Sequence, residues 1–170
     1  MITIRPARDG DLDGFLTLAS QVEHWFGPMV AEPGFHRAVE ACIRDAAALV
    51  AESTTAPGIV GGLLFGADPP TYHVHWLVTS ERCRGEGVGR LLMADAMRRY
   101  VTGPGVVEVV TFGPDHPGAV ESGARTFYEK LGFCPGEPTD PGPEGGSRQI
   151  YRLPVPAPGA ADALADAPRT

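Results

Sequence analysis

The spacing of hydrophobic residues along the chain predicts a mixture of helices and strands. Apolar residues recur every three or four positions in four segments, the pattern of helices with one buried face, at residues 12–22, 35–46, 88–100 and 120–131. Shorter runs of apolar and β-branched residues predict six strands, at residues 2–5, 48–52, 59–65, 72–79, 106–112 and 148–153. The order of these elements predicts an α/β fold with a mixed sheet, because it combines antiparallel hairpins with a strand–helix–strand crossover.

Three further segments are predicted to lack regular structure. Residues 23–33 are rich in aromatic residues and proline, and residues 135–146 hold four prolines and four glycines. Residues 154–170 are rich in Pro and Ala, so we expect a disordered tail there. The chain is therefore predicted to form a single domain over residues 1–153, followed by this tail.

The composition fits a globular domain and disfavours two kinds of partner. A chain of 170 residues, 43% of them hydrophobic, is long enough to bury a core of its own. Its formal net charge is −7 and its pI is near 5.1, whereas proteins that bind nucleic acid or anionic membranes usually present a basic face. We therefore expect neither a nucleic-acid partner nor a membrane partner.

Cysteine spacing and the apolar runs indicate the cellular compartment. Cys42, Cys83 and Cys134 lie far apart and form no pair typical of a disulfide framework or a structural zinc site. The N-terminal residues lack the pattern of a signal peptide, and the longest apolar stretch, Ile59–Ala67, is too short to cross a bilayer. We expect a cytoplasmic protein without a metal site.

The strongest chemical signal is a glycine-rich segment between a predicted strand and a predicted helix. Its sequence is Arg82-Cys83-Arg84-Gly85-Glu86-Gly87-Val88-Gly89-Arg90. Alternate glycines allow a tight turn and bring backbone N–H groups close to a ligand. The helix that follows adds unpaired N–H groups and the positive end of its dipole, and the arginines add charge. This segment predicts a binding site for a phosphate-bearing ligand.

Two common phosphate-binding motifs do not match this segment. The dinucleotide fingerprint requires a glycine at the position that Arg90 occupies. The P-loop requires Gly-Lys-Ser/Thr, but the only lysine of the chain, Lys130, lies elsewhere. A phosphoryl-transfer protein is therefore disfavoured, also because no acidic Mg²⁺ site is evident.

Two blocks of sequence resemble the GNAT N-acetyltransferase superfamily. Arg84-x-x-Gly87-x-Gly89 is similar to the superfamily's pyrophosphate loop, and the segment 124–133, with Tyr128 at its centre, is similar to its Ala-x-x-x-Tyr-x-x-x-Gly-Phe segment. One departure is Glu121, since the family often has Asn at that distance before the tyrosine. The resemblance implies a central mixed β-sheet with helices on both faces, and a splayed strand pair that holds acetyl-CoA.

The same resemblance implies which residues contact the cofactor. The strand before the loop pairs with the pantetheine arm through Leu77, Val78 and Thr79, and the N–H of Val78 points at the thioester oxygen. The loop residues implied in pyrophosphate binding are Arg84, Gly85, Glu86, Gly87, Val88, Gly89 and Arg90.

Acetyl transfer to an amine poses two proton problems. An alkyl ammonium with a pKa of ~10.4 must lose a proton before it can attack, and the departing thiolate benefits from an acid. Tyr128 matches the tyrosine that the family places beside the sulfur, which implies that it is this acid. For the base, His73 and His75 resemble the His-x-His strand of serotonin N-acetyltransferase, where the pair relays the acceptor proton. His116 and Glu108 are alternative bases.

The acceptor amine is not identified by the sequence. The family places its acceptor site near the segment between the first two helices, which implies roles for Glu23, Trp25 and Phe26, although these side chains could instead only support a loop. A small metabolite, an antibiotic, a peptide N-terminus and a protein lysine all remain open as acceptors, as does a homodimer. The alternative is a non-catalytic acyl-CoA-binding or sensing domain with the same fold.

Overall fold

The described part of the chain forms one seven-stranded sheet with six α-helices. A computed structural model describes residues 1–157 of the chain. The strands are β1 (Ile2–Pro6), β2 (Ala48–Ser53), β3 (Ala56–Asp68), β4 (Thr71–Thr79), β5 (Gly105–Phe112), β6 (Cys134–Thr139) and β7 (Arg148–Val155). The helices are α1 (Leu12–Ser20), α2 (Glu23–Phe26), α3 (Pro33–Arg44), α4 (Val88–Tyr100), α5 (Pro117–Glu121) and α6 (Ala124–Lys130).

The sheet is mixed, as the sequence predicts. Its strand order is β1-β2-β3-β4-β5-β7-β6, and all neighbours are antiparallel except β4 and β5. Helix α4 connects this parallel pair, which is the predicted strand–helix–strand crossover.

Helices cover both faces of the sheet, and the residues of β2 show why. Leu49 and Ala51 pack in the cluster that contains Leu92 of α4, whereas Ala48 and Val50 pack in the cluster that contains Phe15 of α1. Successive side chains of a strand point to opposite faces, so an apolar run such as β2 is buried on both sides. The predicted layers are therefore confirmed.

Strands β4 and β5 are paired over only part of their length. Their parallel register runs from Thr71 opposite Val106 to Val74 opposite Val109 and ends there. Beyond this point β4 continues beside β3 as far as Thr79, while β5 continues beside β7. The two strands thus diverge, and no described strand pairs with the edge of β4 that faces β5 near Thr79.

A bulge in β4 coincides with this divergence. Leu64 of β3 lies opposite Trp76 and Phe65 lies opposite Val74, so His75 is the extra residue. Val74 packs in the cluster beside α4, but Trp76 packs against the clusters beside α1 and α3. Beyond the bulge, the residues of β4 therefore lie on the opposite face of the sheet from the one that regular alternation would give them.

The prediction of a loop over residues 135–146 is wrong in its first part. Strand β6 begins at Cys134 and pairs with β7 at the edge of the sheet. Pro135 and Pro138 hid this strand in the sequence, since proline interrupts an inner strand but is tolerated at an edge.

Three smaller differences concern helices and the C-terminus. The segment predicted as one helix over residues 120–131 is two helices, because Gly123 adopts a left-handed conformation with φ of 69° between them. The segment predicted to be irregular contains the short helix α2. Strand β7 extends two residues beyond the predicted domain end, and the rest of the predicted tail, from residue 158, lies outside the described residues.

Candidate active site

A cavity of about 560 Å³ lies where β4 and β5 diverge. Leu77, Val78 and Thr79 line it on the side of β4, and Phe112 at the end of β5 lines it as well. Because the backbone edge of β4 has no strand partner here, its peptide groups are available to an extended ligand.

The glycine loop closes one end of this cavity. Gly85 and Gly87 both have a φ of 81°, which only glycine adopts without strain, and no heavy atom lies within 4 Å of the space a side chain would occupy. Gly87 is the N-cap of α4, and the first hydrogen bond of the helix runs from the Leu91 N–H to the Gly87 carbonyl. The preceding N–H groups of the first turn therefore lack a helical partner and point towards the loop.

The charge around this loop favours an anionic ligand. Arg84 and Arg90 line the cavity together with one acid, Glu86. The dipole of α4 adds partial positive charge at its N-terminus. Arginine side chains and free backbone N–H groups together suit a pyrophosphate.

Tyr128 brings a hydroxyl group to the same cavity from α6. The residue is only 6% exposed, and its ring packs edge-on against Phe127 and Phe133. Burial raises the pKa of Tyr128, so the hydroxyl keeps its proton throughout the physiological range. Among the described residues no group hydrogen-bonds this hydroxyl, which is thus available to a ligand.

Trp25 of α2 is held against the cavity by three neighbours. Its indole N–H donates to Glu121 Oε2 at 2.8 Å, and the Arg84 guanidinium lies 5.0 Å from its ring centroid. The His24 ring packs against it at a tilt of 44°, with centroids 4.3 Å apart. Trp25 therefore links the glycine loop to the C-terminal end of α5.

A second cavity, of about 490 Å³, lies next to the first. Its lining comes from α2, from the β5–α5 loop and from the β6–β7 loop: His24, Trp25, Asp115, His116, Pro117, Glu144, Gly145, Gly146 and Ser147. Trp25 is the residue that lines both cavities.

Contacts of Glu144 hold together two of the loops that line this second cavity. Glu144 Oε1 lies 2.5 Å from Arg148 and 3.3 Å from His116 Nε2, which connects the β5–α5 and β6–β7 loops. The Gly118 N–H donates to His116 Nδ1, so the neutral ring carries its proton on Nε2 and donates it to Glu144. Both ring nitrogens are engaged within the protein, which disfavours His116 as a base.

The histidine pair of β4 lies outside both cavities. The rings of His73 and His75 stack with centroids 5.7 Å apart, and His73 Nδ1 is 3.8 Å from Glu108 Oε2. Burial and the neighbouring His73 lower the pKa of His75, which favours its neutral form. Glu108 also accepts a hydrogen bond from Arg152, at 3.1 Å.

The structure brings together most of the residues predicted for the site. All those predicted to contact the cofactor line the first cavity, as do Tyr128, Trp25 and Phe26. Glu23 does not line it, because its carboxylate accepts a hydrogen bond from the Met29 N–H at 2.7 Å and holds the following loop. The part of the chain that is described contains no cluster of three or more side chains suited to a metal ion.

Sequence reasoning missed two features of the site. It gave no role to Glu121, and it did not find the second cavity. The departure from the family's Asn at Glu121 was the one available signal, whereas no local pattern connects residues as distant as His24, Asp115 and Glu144.

Comparison with known proteins defines the class of this fold and site. The family model described as acetyltransferase (GNAT) domain matches residues 44–135, more than half of the chain. The protein therefore belongs to the GNAT acetyltransferase family and is an acyltransferase, as its sequence predicts. No curated protein sequence matches the chain.

Solved structures with the same fold cover nearly the whole chain. A putative GNAT acetyltransferase from Desulfovibrio desulfuricans has a TM-score of 0.71 at 21% identity, over 92% of this chain and 100% of its own. A ribosomal-protein-alanine N-acetyltransferase from Brucella melitensis has a TM-score of 0.67 at 20% identity, over 90% and 99%. A NatC complex bound to Gag peptide and CoA has a TM-score of 0.70 at 17% identity, over 91% and 99%.

The described residues include no helix that is both long and apolar enough to traverse a bilayer. The cytoplasmic location and the homodimer stay predictions.

Proposed function

We propose that the protein transfers the acetyl group of acetyl-CoA to a primary amine, which attacks the thioester directly without a covalent enzyme intermediate. The observation that carries this proposal is the single cavity that runs from the glycine loop at Gly87 to the hydroxyl of Tyr128 along the free edge of β4. Cys83 lines the same cavity beside the loop, at the phosphate end, and burial raises the pKa of its thiol, so it is not assigned as a nucleophile.

The first cavity fits acetyl-CoA by its chemistry. Arg84, Arg90 and the first-turn N–H groups of α4 would hold the pyrophosphate, and the backbone of Leu77–Thr79 would pair with the pantetheine arm. Acetyl-CoA supplies an acetyl thioester to this site. The N–H of Val78 would stabilise the charge that develops on the thioester oxygen.

Tyr128 is the proposed acid for the departing thiolate. Its raised pKa keeps the hydroxyl protonated at neutral pH, which is the form that can donate a hydrogen bond or a proton to the departing thiolate. Proton transfer from the phenol to the thiolate requires contact between them, and Tyr128 lines the cavity in which we place the thioester.

His75 is the proposed base, assisted by His73. Its lowered pKa leaves it unprotonated at neutral pH, as a base must be. Since neither ring lines either of the two cavities, the proton of the acceptor would reach His75 through water. His73 would then pass the proton on in the direction of Glu108, which lies beside it.

The acceptor would lie beside Trp25 and Phe26. Two of the structurally similar proteins are a ribosomal-protein-alanine N-acetyltransferase and a complex bound to a peptide, which supports a peptide amine as one class of acceptor. A small-molecule amine is the other class.

Release of free thiol from acetyl-CoA across a panel of primary amines tests the proposed function. We expect release that depends on the amine and yields an equal amount of acetylated product by mass spectrometry. A protein that binds acetyl-CoA but releases thiol with none of the amines would instead be the non-catalytic acyl-CoA-binding domain.

Replacing Tyr128 by Phe should lower kcat and leave the affinity for acetyl-CoA nearly unchanged. The aromatic ring stays in its packed position and only the proton donor is lost, which typically costs about 10²- to 10⁴-fold in rate. Steady-state kinetics and calorimetric titration with coenzyme A measure the two quantities. Loss of affinity at an unchanged kcat would show that Tyr128 only packs.

Replacing His75 by Ala should remove or shift the acidic limb of the pH profile of kcat/KM. This limb reports protonation of the free base, and the lowered pKa of His75 places it below the usual value of 6.5. His73→Ala should have a smaller effect, because water can partly replace the outer member of a relay. If both variants keep the wild-type limb, the histidine pair does not accept the proton.

A further inference from the structure

The second cavity differs from the first in charge. Arg84 and Arg90 line the first cavity, whereas within residues 1–157 no Arg or Lys lines the second, which has Asp115 and Glu144 in its wall. The two cavities share Trp25 and thus lie side by side. An anion-binding cavity is therefore joined to one whose charged side chains are carboxylates.

Both carboxylates are held in place and remain ionised. Hydrogen bonding to the Ser147 hydroxyl lowers the pKa of Asp115. Burial works against ionisation of Glu144, but its backbone hydrogen bond and Arg148 lower its pKa overall. Arg148 and His116 both contact Oε1 of Glu144.

Aromatic rings complete this wall. His24 and Trp25 pack against each other with tilted ring planes in the lining of the cavity, and Trp25 is fixed by its hydrogen bond to Glu121. Aromatic faces attract organic cations, and they add to the attraction of nearby carboxylates. The cavity thus offers two kinds of group that recognise positive charge.

From this arrangement we propose that the second cavity binds the acceptor, and that the acceptor carries a second positive charge besides the amine that is acetylated. The inference rests on the proposed function and names its substrate class. The attacking amine must be neutral, so the charge that Glu144 and Asp115 bind belongs to another group of the same molecule. Such a group is the second ammonium of a small diamine or the basic side chain next to the N-terminus of a peptide.

Two matched pairs of acceptors test the charge and its source. The first pair is 1,4-diaminobutane and 1-aminobutane, and the second is the peptides Ala-Arg-Ala-Ala and Ala-Gln-Ala-Ala. We expect that in one pair the acceptor with the additional positive charge, 1,4-diaminobutane or Ala-Arg-Ala-Ala, has a kcat/KM at least about tenfold higher than its partner. One charge-assisted contact provides a difference of this size. The pair that shows this preference identifies whether the second charge belongs to a small diamine or to a peptide side chain.

Neutral variants of the wall should reduce this preference. Glu144→Gln and Asp115→Asn keep the shape of the side chains and remove their charge, so the ratio of kcat/KM within the pair should fall, mainly through KM of the charged acceptor. Glu40→Gln, on the exposed side of α3, removes the same charge away from the cavity and should keep the wild-type ratio. Because both kcat/KM values of a pair are measured on the same enzyme sample, their ratio does not depend on how much of the variant is folded.

Direct binding separates failure of this inference from failure of the proposed function. Calorimetry in the presence of coenzyme A should show binding of the charged acceptor that weakens in Glu144→Gln, even if no amine releases thiol. Equal kcat/KM and equal binding within both pairs would overturn the inference, as would a preference that survives both wall variants. Acetylation of 1-aminobutane in that case would leave the proposed function intact.

Discussion

The early end of the β4–β5 pairing is the feature on which the rest of the site depends. Beyond Val74 and Val109, each strand keeps a different neighbour, so a sheet that is otherwise continuous opens in its centre. Buried backbone groups without partners are costly, and the opening is stable because solvent or a ligand can satisfy them. The cavity, the glycine loop at one end and Tyr128 are all positioned by this opening.

Trp25 connects the two halves of the proposed reaction. It lies beside Arg84 of the glycine loop, it is anchored to Glu121, and it lines both cavities. Trp25 is thus shared by a cavity lined by Arg84 and Arg90 and a cavity lined by Asp115 and Glu144.

The parts of this account that were predictable from sequence are those encoded locally. The glycine loop and the segment around Tyr128 could be found because their residues are neighbours in the chain, and the layers of the sheet followed from apolar runs such as β2. Strand β6 was missed because its prolines contradict strand propensity, which an edge position overrides. The second cavity was missed because its wall joins His24 to Glu144, which only folding brings together.

Hydrogen–deuterium exchange with and without acetyl-CoA tests the central claim most directly. If the cofactor occupies the opening beside β4, its binding should slow exchange in Leu77–Thr79 and in Gly85–Arg90 together, while β1 and β2 stay unchanged. Slower exchange in the glycine loop alone, with Leu77–Thr79 unaffected at saturating acetyl-CoA, would contradict the account, because the free edge of β4 would then not hold the cofactor.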